Sequence, residues 1–312
     1  MAGTYAHFMV TEKAKDALIN NSSLQKKHIL YLYNDFLKAG AVAPDYPYLT
    51  LISKKAKTWA DRMHYTNTKH MICSGLECLT KIGSDEALAW YLGYVSHVIV
   101  DVVVHPIVNL IVGPYEENKR AHRLCEMTQD SFIFNQVKGE SLEVPNAEYI
   151  DLLKNCSQAG NVNNFHTETK QVWLEMFKGA HNDIFSTSPP DIDHWHSSYI
   201  EKLDIVDEPI LFSRHISAIA SKKAIFYRDS NDIPIKDRER FIDDLPIPNS
   251  NDRQNYIAVF DRATNKVIEA WNGILEDLEG NTGWIQNWIM NWNLDTGQII
   301  GESEDAIPYF WK

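Results

Sequence analysis

A chain of 312 residues, 44% hydrophobic and 23% charged, has enough apolar material for a sizeable core. Its formal net charge of −12 disfavours non-specific attraction to nucleic acid and to anionic membrane surfaces. The four cysteines, Cys73, Cys78, Cys125 and Cys156, form no CxxC pair, and no basic stretch followed by a long apolar run opens the chain. Cytoplasmic residence is therefore expected, with export by a signal-independent route left open.

In chain order, "TEKAKDALIN" and "SLQKKHILYLYNDFLKAG" carry apolar residues at three- and four-residue spacing and predict helices, the second capped by Gly40. "AVAPDYPYL" reads as a loop fixed by Pro44 and Pro47, and "ISKKAKTWADRMHYTNTKHMICSGLECL" as one or two helices. "GSDEALAWYLGYVSHVIVDVVVHP" predicts a helix with Ser84 as N-cap and Asp85 and Glu86 in its first turn. A polar connection, "VGPYEEN", leads to a shorter helix, "KRAHRLCEMTQDSFIF". "KGESLEVPNAEY", "STSPPDIDHWH" and "YRDSNDIPIKDRERFIDDLPIPNSNDRQ" read as loops, with amphipathic helices around 169–178, 199–221 and 255–278. No sustained alternation of Val, Ile or Thr predicts a sheet, so the expected fold class is all-α.

The segment "YLGYVSHVIVDVVVHPIVN" places His97, Asp101 and His105 inside an otherwise apolar helix. A transmembrane reading of 88–112 would bury these ionisable groups at several kcal/mol, with no second span to pair them. On a helix, positions i, i+4 and i+8 share one face, and His97 and His105 lie roughly 12 Å apart along the axis. That is too far for one ion with Asp101 between them, whereas two ions about 3.5–4 Å apart fit, the carboxylate serving one or bridging both. The following helix repeats the device with His122 and Glu126 at i and i+4, and Asp130 continues that face.

Five pieces, "AGTYAHF", "GAVAPDYPYL", "WADRMHY", "HVIVDVVVHP" and "HRLCEMTQD", stand in an order and at separations that resemble the zinc-dependent phospholipase C family, in the version typified by the catalytic domain of glycosylphosphatidylinositol-specific phospholipase D. The resemblance covers roughly the first 135 residues. It implies a multi-helix bundle like that of phospholipase C and the zinc nucleases; beyond it the C-terminal half resembles no known family, and the chain as a whole reads as one mainly helical domain over 1–312. The metals would sit in 1–137, and 138–312 would add helices of unassigned role. Carried over position by position, it implies three zinc ions, two at minimum. Asp45, His64, His97 and Asp101 would hold one, and His105, His122 and Glu126 a second. The third would take His7, Asp101 as a bridge, and the N-terminal amine and carbonyl of Ala2 after removal of Met1. The related nucleases use Trp at that terminus. Secreted bacterial relatives have the second His six residues after the helix Asp, whereas here the spacing is four.

The same resemblance gives Asp45 the role of metal ligand and general base in hydrolysis of a phospholipid phosphate ester. A local surplus of about +3 would then draw a phosphodiester to an acidic protein. Tyr46 follows the base, as an aromatic does in choline-preferring relatives, and is the candidate substrate-binding residue through cation–π attraction. Asp61 stands where an aromatic would be expected. The partners expected are a phospholipid or other phosphodiester and a transient membrane surface; nucleic acid is not favoured and no obligate protein partner is inferred. A zinc nuclease or nucleotidase of the same fold, and a non-catalytic metal-stabilised helical protein, are the competing readings. Trp284, Trp288 and Trp292 recur every four residues and suit core packing or an interfacial docking face. The "HWH" of His194 and His196 reads as surface loop, and Cys125 points away from the metal face.

Overall fold

The computed structural model describes residues 3–21, 25–50, 53–142, 146–205, 227–280, 282–303 and 305–312. Helices α1 (Thr4–Asn21), α2 (Ile29–Leu32), α3 (Asn34–Gly40), α4 (Tyr46–Leu49), α5 (Lys54–Tyr65), α6 (Thr68–Ile82), α7 (Asp85–Val112) and α8 (Tyr115–Lys138) make up the first half. After them come α9 (Asn146–Asn155), α10 (Thr167–Ala180), α11 (Asn182–Phe185), α12 (Ile192–Ile205), α13 (Ile235–Arg238), α14 (Tyr256–Gly280) and α15 (Trp284–Trp288). Sheet is confined, among the described residues, to two short antiparallel pairs, β1 (Ser157–Gln158) with β2 (Asn161–Phe165) and β3 (Leu245–Pro246) with β4 (Arg253–Gln254). The all-α expectation holds.

Helix α7 is the axis on which the site is built. Ser84 caps it as predicted, its Oγ accepting from the Ala87 amide at 3.3 Å. A helix apolar on every side must be surrounded, and α1, α3, α8, α10 and α14 pack around it, leaving every residue from 87 to 108 buried. By length and composition α7 would also cross a bilayer, but here its faces are covered by protein. Each fully buried Val, Ile or Leu along it contributes about 1.5–3 kcal/mol.

Gly40 does not end its helix in a left-handed cap. It sits against Gly93, where α3 crosses α7 backbone to backbone: a Cβ on Gly40 would fall 1.9 Å from the Trp90 carbonyl oxygen, and one on Gly93 2.0 Å from that of Leu37. This approach brings the Ala41 carbonyl to 2.9 Å from Nδ1 of His97. Gly93→Ala is expected to destabilise the protein by about 3 kcal/mol or more through forced separation of two packed backbones. Chemical denaturation would measure it, and an unchanged midpoint would contradict the close crossing.

Several predicted loops contain helix. "AVAPDYPYL" forms a 3-10 turn at Ala43–Asp45 and then α4, because Pro44 and Pro47 each occupy a first-turn position that lacks an amide partner anyway. The long segment before residue 83 breaks into α5 and α6 at Asn67, whose φ of 53° is left-handed. "HWH" lies on α12, not in a loop. His196 is buried with Nε2 2.8 Å from Ser157 Oγ, while His194 is exposed. Of the helix expected over 199–221, α12 describes the part to Ile205, and 206–221 lies outside the described residues. The tryptophan stripe is helical only to Trp288; Trp292 is extended, bridged to Ile299 and fully buried.

Candidate metal centre

Asp101 projects from the middle of α7 with no solvent exposure. Its Oδ1 lies 3.4 Å from Nε2 of His7 on α1 and 3.3 Å from Nε2 of His105. Its Oδ2 lies 3.3 Å from Nε2 of His97 and 3.9 Å from Nε2 of His64 on α5. Asp45, delivered by the Pro-bounded turn, reaches His64 Nε2 with Oδ1 at 3.3 Å. Four imidazoles and a second carboxylate thus surround one buried carboxylate.

The outer nitrogens explain how the rings are aimed. Nδ1 of His64 lies 2.8 Å from the Ala60 carbonyl one turn back on its own helix. Nδ1 of His97 faces Ala41 and Nδ1 of His105 faces the Leu294 carbonyl at 2.7 Å. Nε2 of His122 lies 2.6 Å from the carbonyl of Gly113. A carbonyl oxygen only accepts, so in each neutral ring the proton sits on that outer nitrogen and the other nitrogen presents a lone pair inward. Those inner atoms, Nε2 of His64, His97 and His105 and Nδ1 of His122, are buried without a hydrogen-bond partner, as is Asp45 Oδ1. Buried acceptors facing acceptors are costly unless a cation lies between them, which is the arrangement of metal-binding histidines oriented by their second nitrogen.

The electrostatics point the same way. Burial pushes His7 down to about 4, and His97, stacked on it at 4.2 Å, adds to the drop. His7 is therefore a neutral donor at pH 7. Burial would raise the Asp101 carboxyl, but His105 and His97 overcome it and hold the group well below the usual carboxylate range. The same contest, burial against His97 and His64, leaves Asp45 lowered. His97 is raised, burial being outweighed by Asp101 and Asp45. The cluster demands positive charge, as protons or as metal ions.

Donor atoms of His7, His97 and Asp101 lie within 4.8 Å of one another, and so do those of Asp45, His64 and His97. His122 and Glu126 stand apart from these groups as a pair, Nδ1 to Oε1 3.8 Å, both almost fully buried. Among the described residues they form no such tight triad with His105. Ala2 lies outside the described residues. Neutral imidazoles with carboxylates are a donor set that suits zinc.

Other residues take supporting roles. Asp130, on the face of His122 and Glu126, accepts from the amides of Ala6 (2.7 Å) and Tyr5 (3.3 Å) and from the Tyr227 hydroxyl (3.0 Å). It thereby anchors the start of α1, which carries His7, and burial lifts its carboxyl to about 7. Tyr46 is fully buried, its ring edge-on to Tyr199 and Trp173 within the aromatic core. Asp61 accepts from the Tyr48 hydroxyl at 2.7 Å, and the Tyr48 ring lies 5.5 Å from that of His64. Burial holds the Cys125 thiol far above its ordinary range, so it is no thiolate donor. Beside the centre lies a cleft of about 590 Å³ whose lining includes Pro106, Asn109, Tyr115, Glu116, Asp295 and Asp305, with no Lys or Arg. Asp295 lies 3.5 Å from His105 Nδ1, and the Tyr115 ring packs edge-on against His122.

Neither a curated protein nor a solved structure matches the chain. A family model described as zinc dependent phospholipase C does match, over residues 6–183. That stretch takes in every histidine and carboxylate of the buried cluster and more than half of the 312 residues, and by that match the chain belongs to the zinc-dependent phospholipase C family.

Proposed function

We propose that this chain is a phospholipase C-type hydrolase that cleaves the phosphate ester of a phospholipid at a centre of three zinc ions, with Asp45 as general base. Family membership supports the zinc-dependent phospholipase C activity and the phospholipid substrate. The observation that carries the reading is the ring of inward, unpartnered histidine nitrogens around Asp101. Asp45, His64, His97 and Asp101 would hold one ion. His105, His122 and Glu126 would hold a second, and His7 with Asp101 would contribute to the third. Zinc, when bound there, supplies Lewis-acid polarisation of the phosphoryl oxygens and a nucleophile at neutral pH.

The chain's own residues do the rest. Asp45 is ionised at neutral pH, and its side chain is 11% exposed where those of His64 and Asp101 show none, so it can take a proton from an approaching water. The burial of Asp101, His97 and His7 excludes bulk water and keeps electrostatic attraction strong. A phosphodiester whose head group enters the neighbouring cleft would meet Asp295, Asp305 and Glu116 and no basic side chain. A zwitterionic or uncharged head group suits that lining better than an anionic one. Leu110, on the cleft wall and 53% exposed, offers an apolar contact to the lipid surface from which the substrate is drawn.

The test is product analysis by mass spectrometry after incubating zinc-loaded, untagged protein with mixed phospholipids, with and without chelator. Chelator-sensitive diacylglycerol with a phosphorylated choline or ethanolamine is expected. Turnover of oligonucleotides or nucleotides in place of lipid would replace this reading with the nuclease one. No turnover of either by fully metallated protein would leave a metal-stabilised helical protein.

A further inference from the structure

The turn at 293–297 lies more than a hundred residues beyond the family-matched stretch, yet it touches two of the metal-bearing helices at once. The Leu294 amide donates to the His64 carbonyl at 2.9 Å, and the Leu294 carbonyl accepts from His105 Nδ1 at 2.7 Å. One residue thus bonds the end of α5 and the imidazole on α7. Asp295 repeats the bridge with its side chain: Oδ2 accepts from the Tyr65 hydroxyl at 2.8 Å, and Oδ1 lies 3.5 Å from His105 Nδ1. Its carbonyl accepts from the Asn109 amide group at 2.5 Å, one turn beyond His105. The turn is internally braced, since Asn293 Oδ1 accepts from the amides of Asp295 and Thr296 at 2.9 and 3.2 Å. Gly297 lets it lie flat on α7, because a Cβ there would come within 2.6 Å of the Val102 carbonyl, to which Pro106 can return no amide hydrogen.

We propose that this C-terminal turn is a clasp that fixes the separation of His64 and His105, with Asp295 as a positioning residue acting through Tyr65 and His105. The inference rests on the metal centre proposed above and assigns its outer support to a part of the chain that the family match does not reach. Metal-ligating histidines depend on such partners, whose removal costs 10- to 100-fold in metal affinity.

The experiment compares Asp295→Asn and Tyr65→Phe with the unaltered protein. It uses equilibrium zinc titration against a chromophoric chelator, the visible spectrum of the cobalt(II)-substituted protein, and melting of the metal-free forms. Each variant should bind one ion about 10- to 100-fold more weakly and show an altered cobalt spectrum, while its metal-free melting temperature stays that of the unaltered chain. The double variant should be little worse than the stronger single, since both act on one network. Unchanged affinity and spectrum in both variants would overturn the clasp. So would a weakening matched by an equal loss of metal-free stability, which would make the turn ordinary packing. Unaltered protein that binds zinc but cleaves no phospholipid would sink the hydrolase reading and leave the clasp standing. Protein that takes up no zinc would overturn both.

Discussion

Asp101→Asn is expected to strip the protein of zinc and to lower phosphodiester turnover by at least about 1,000-fold, since bound metal supplies several kcal/mol of transition-state stabilisation at about 1.4 kcal/mol per decade. The substitution keeps the shape of the side chain and removes the charge on which four imidazoles converge. It also presents an amide NH₂ to lone pairs that would otherwise meet a cation. The metal-free variant should melt no lower than metal-free wild type, because a buried carboxylate whose compensating cations are gone is itself a burden. Elemental analysis after dialysis, together with calorimetry with and without chelator, would measure both. A full zinc complement in the variant would remove Asp101 from the hub of the site.

Asp45→Asn should separate chemistry from assembly. A general base contributes about 10²–10⁴-fold, so kcat should fall by that factor when zinc is supplied in excess, with KM changed far less. Asp45 sits at the edge of the cluster and touches His64 but not His105 or His7, so the variant should still hold the ions that Asp101 organises. Steady-state kinetics with parallel metal analysis would decide. Unchanged kcat would pass the base to another group, and a loss that zinc restores would reduce Asp45 to a ligand.

What could be read from the sequence follows from which signals side chains carry. The i, i+4, i+8 spacing of His97, Asp101 and His105 fixes their common face once the helix is accepted, and the structure gathers them with His7, His64 and Asp45. Ser84 announced the start of α7 by its own hydroxyl. The outer partners of the histidines were illegible, because they are the backbone carbonyls of Ala41, Ala60, Gly113 and Leu294, and a carbonyl leaves no mark in the sequence. Gly40 signals a cap and a close crossing equally well, and only Gly93 opposite decides between them. The prolines around Asp45 signal a turn and a first helical turn equally well, which is why α4 read as loop. Tyr46 beside Asp45 looked available to substrate, but the partners that enclose it, Trp173 and Tyr199, come from α10 and α12, far along the chain.

The contacts of Leu294 also impose an order of events during synthesis. A chain that leaves the ribosome N-terminus first exposes His7, Asp45, His64, His97, Asp101 and His105 long before residue 294 emerges. Until then His105 lacks the carbonyl that sets its tautomer, and the end of α5 lacks its tie to α7. The nascent protein would thus hold these side chains in hand but unaimed, and tight metal capture would wait for the turn at 293–297. Stalled chains that end near residue 280 should retain zinc less well than stalled chains that have released residues 293–312 from the exit tunnel. Equal retention would place completion of the site earlier in synthesis.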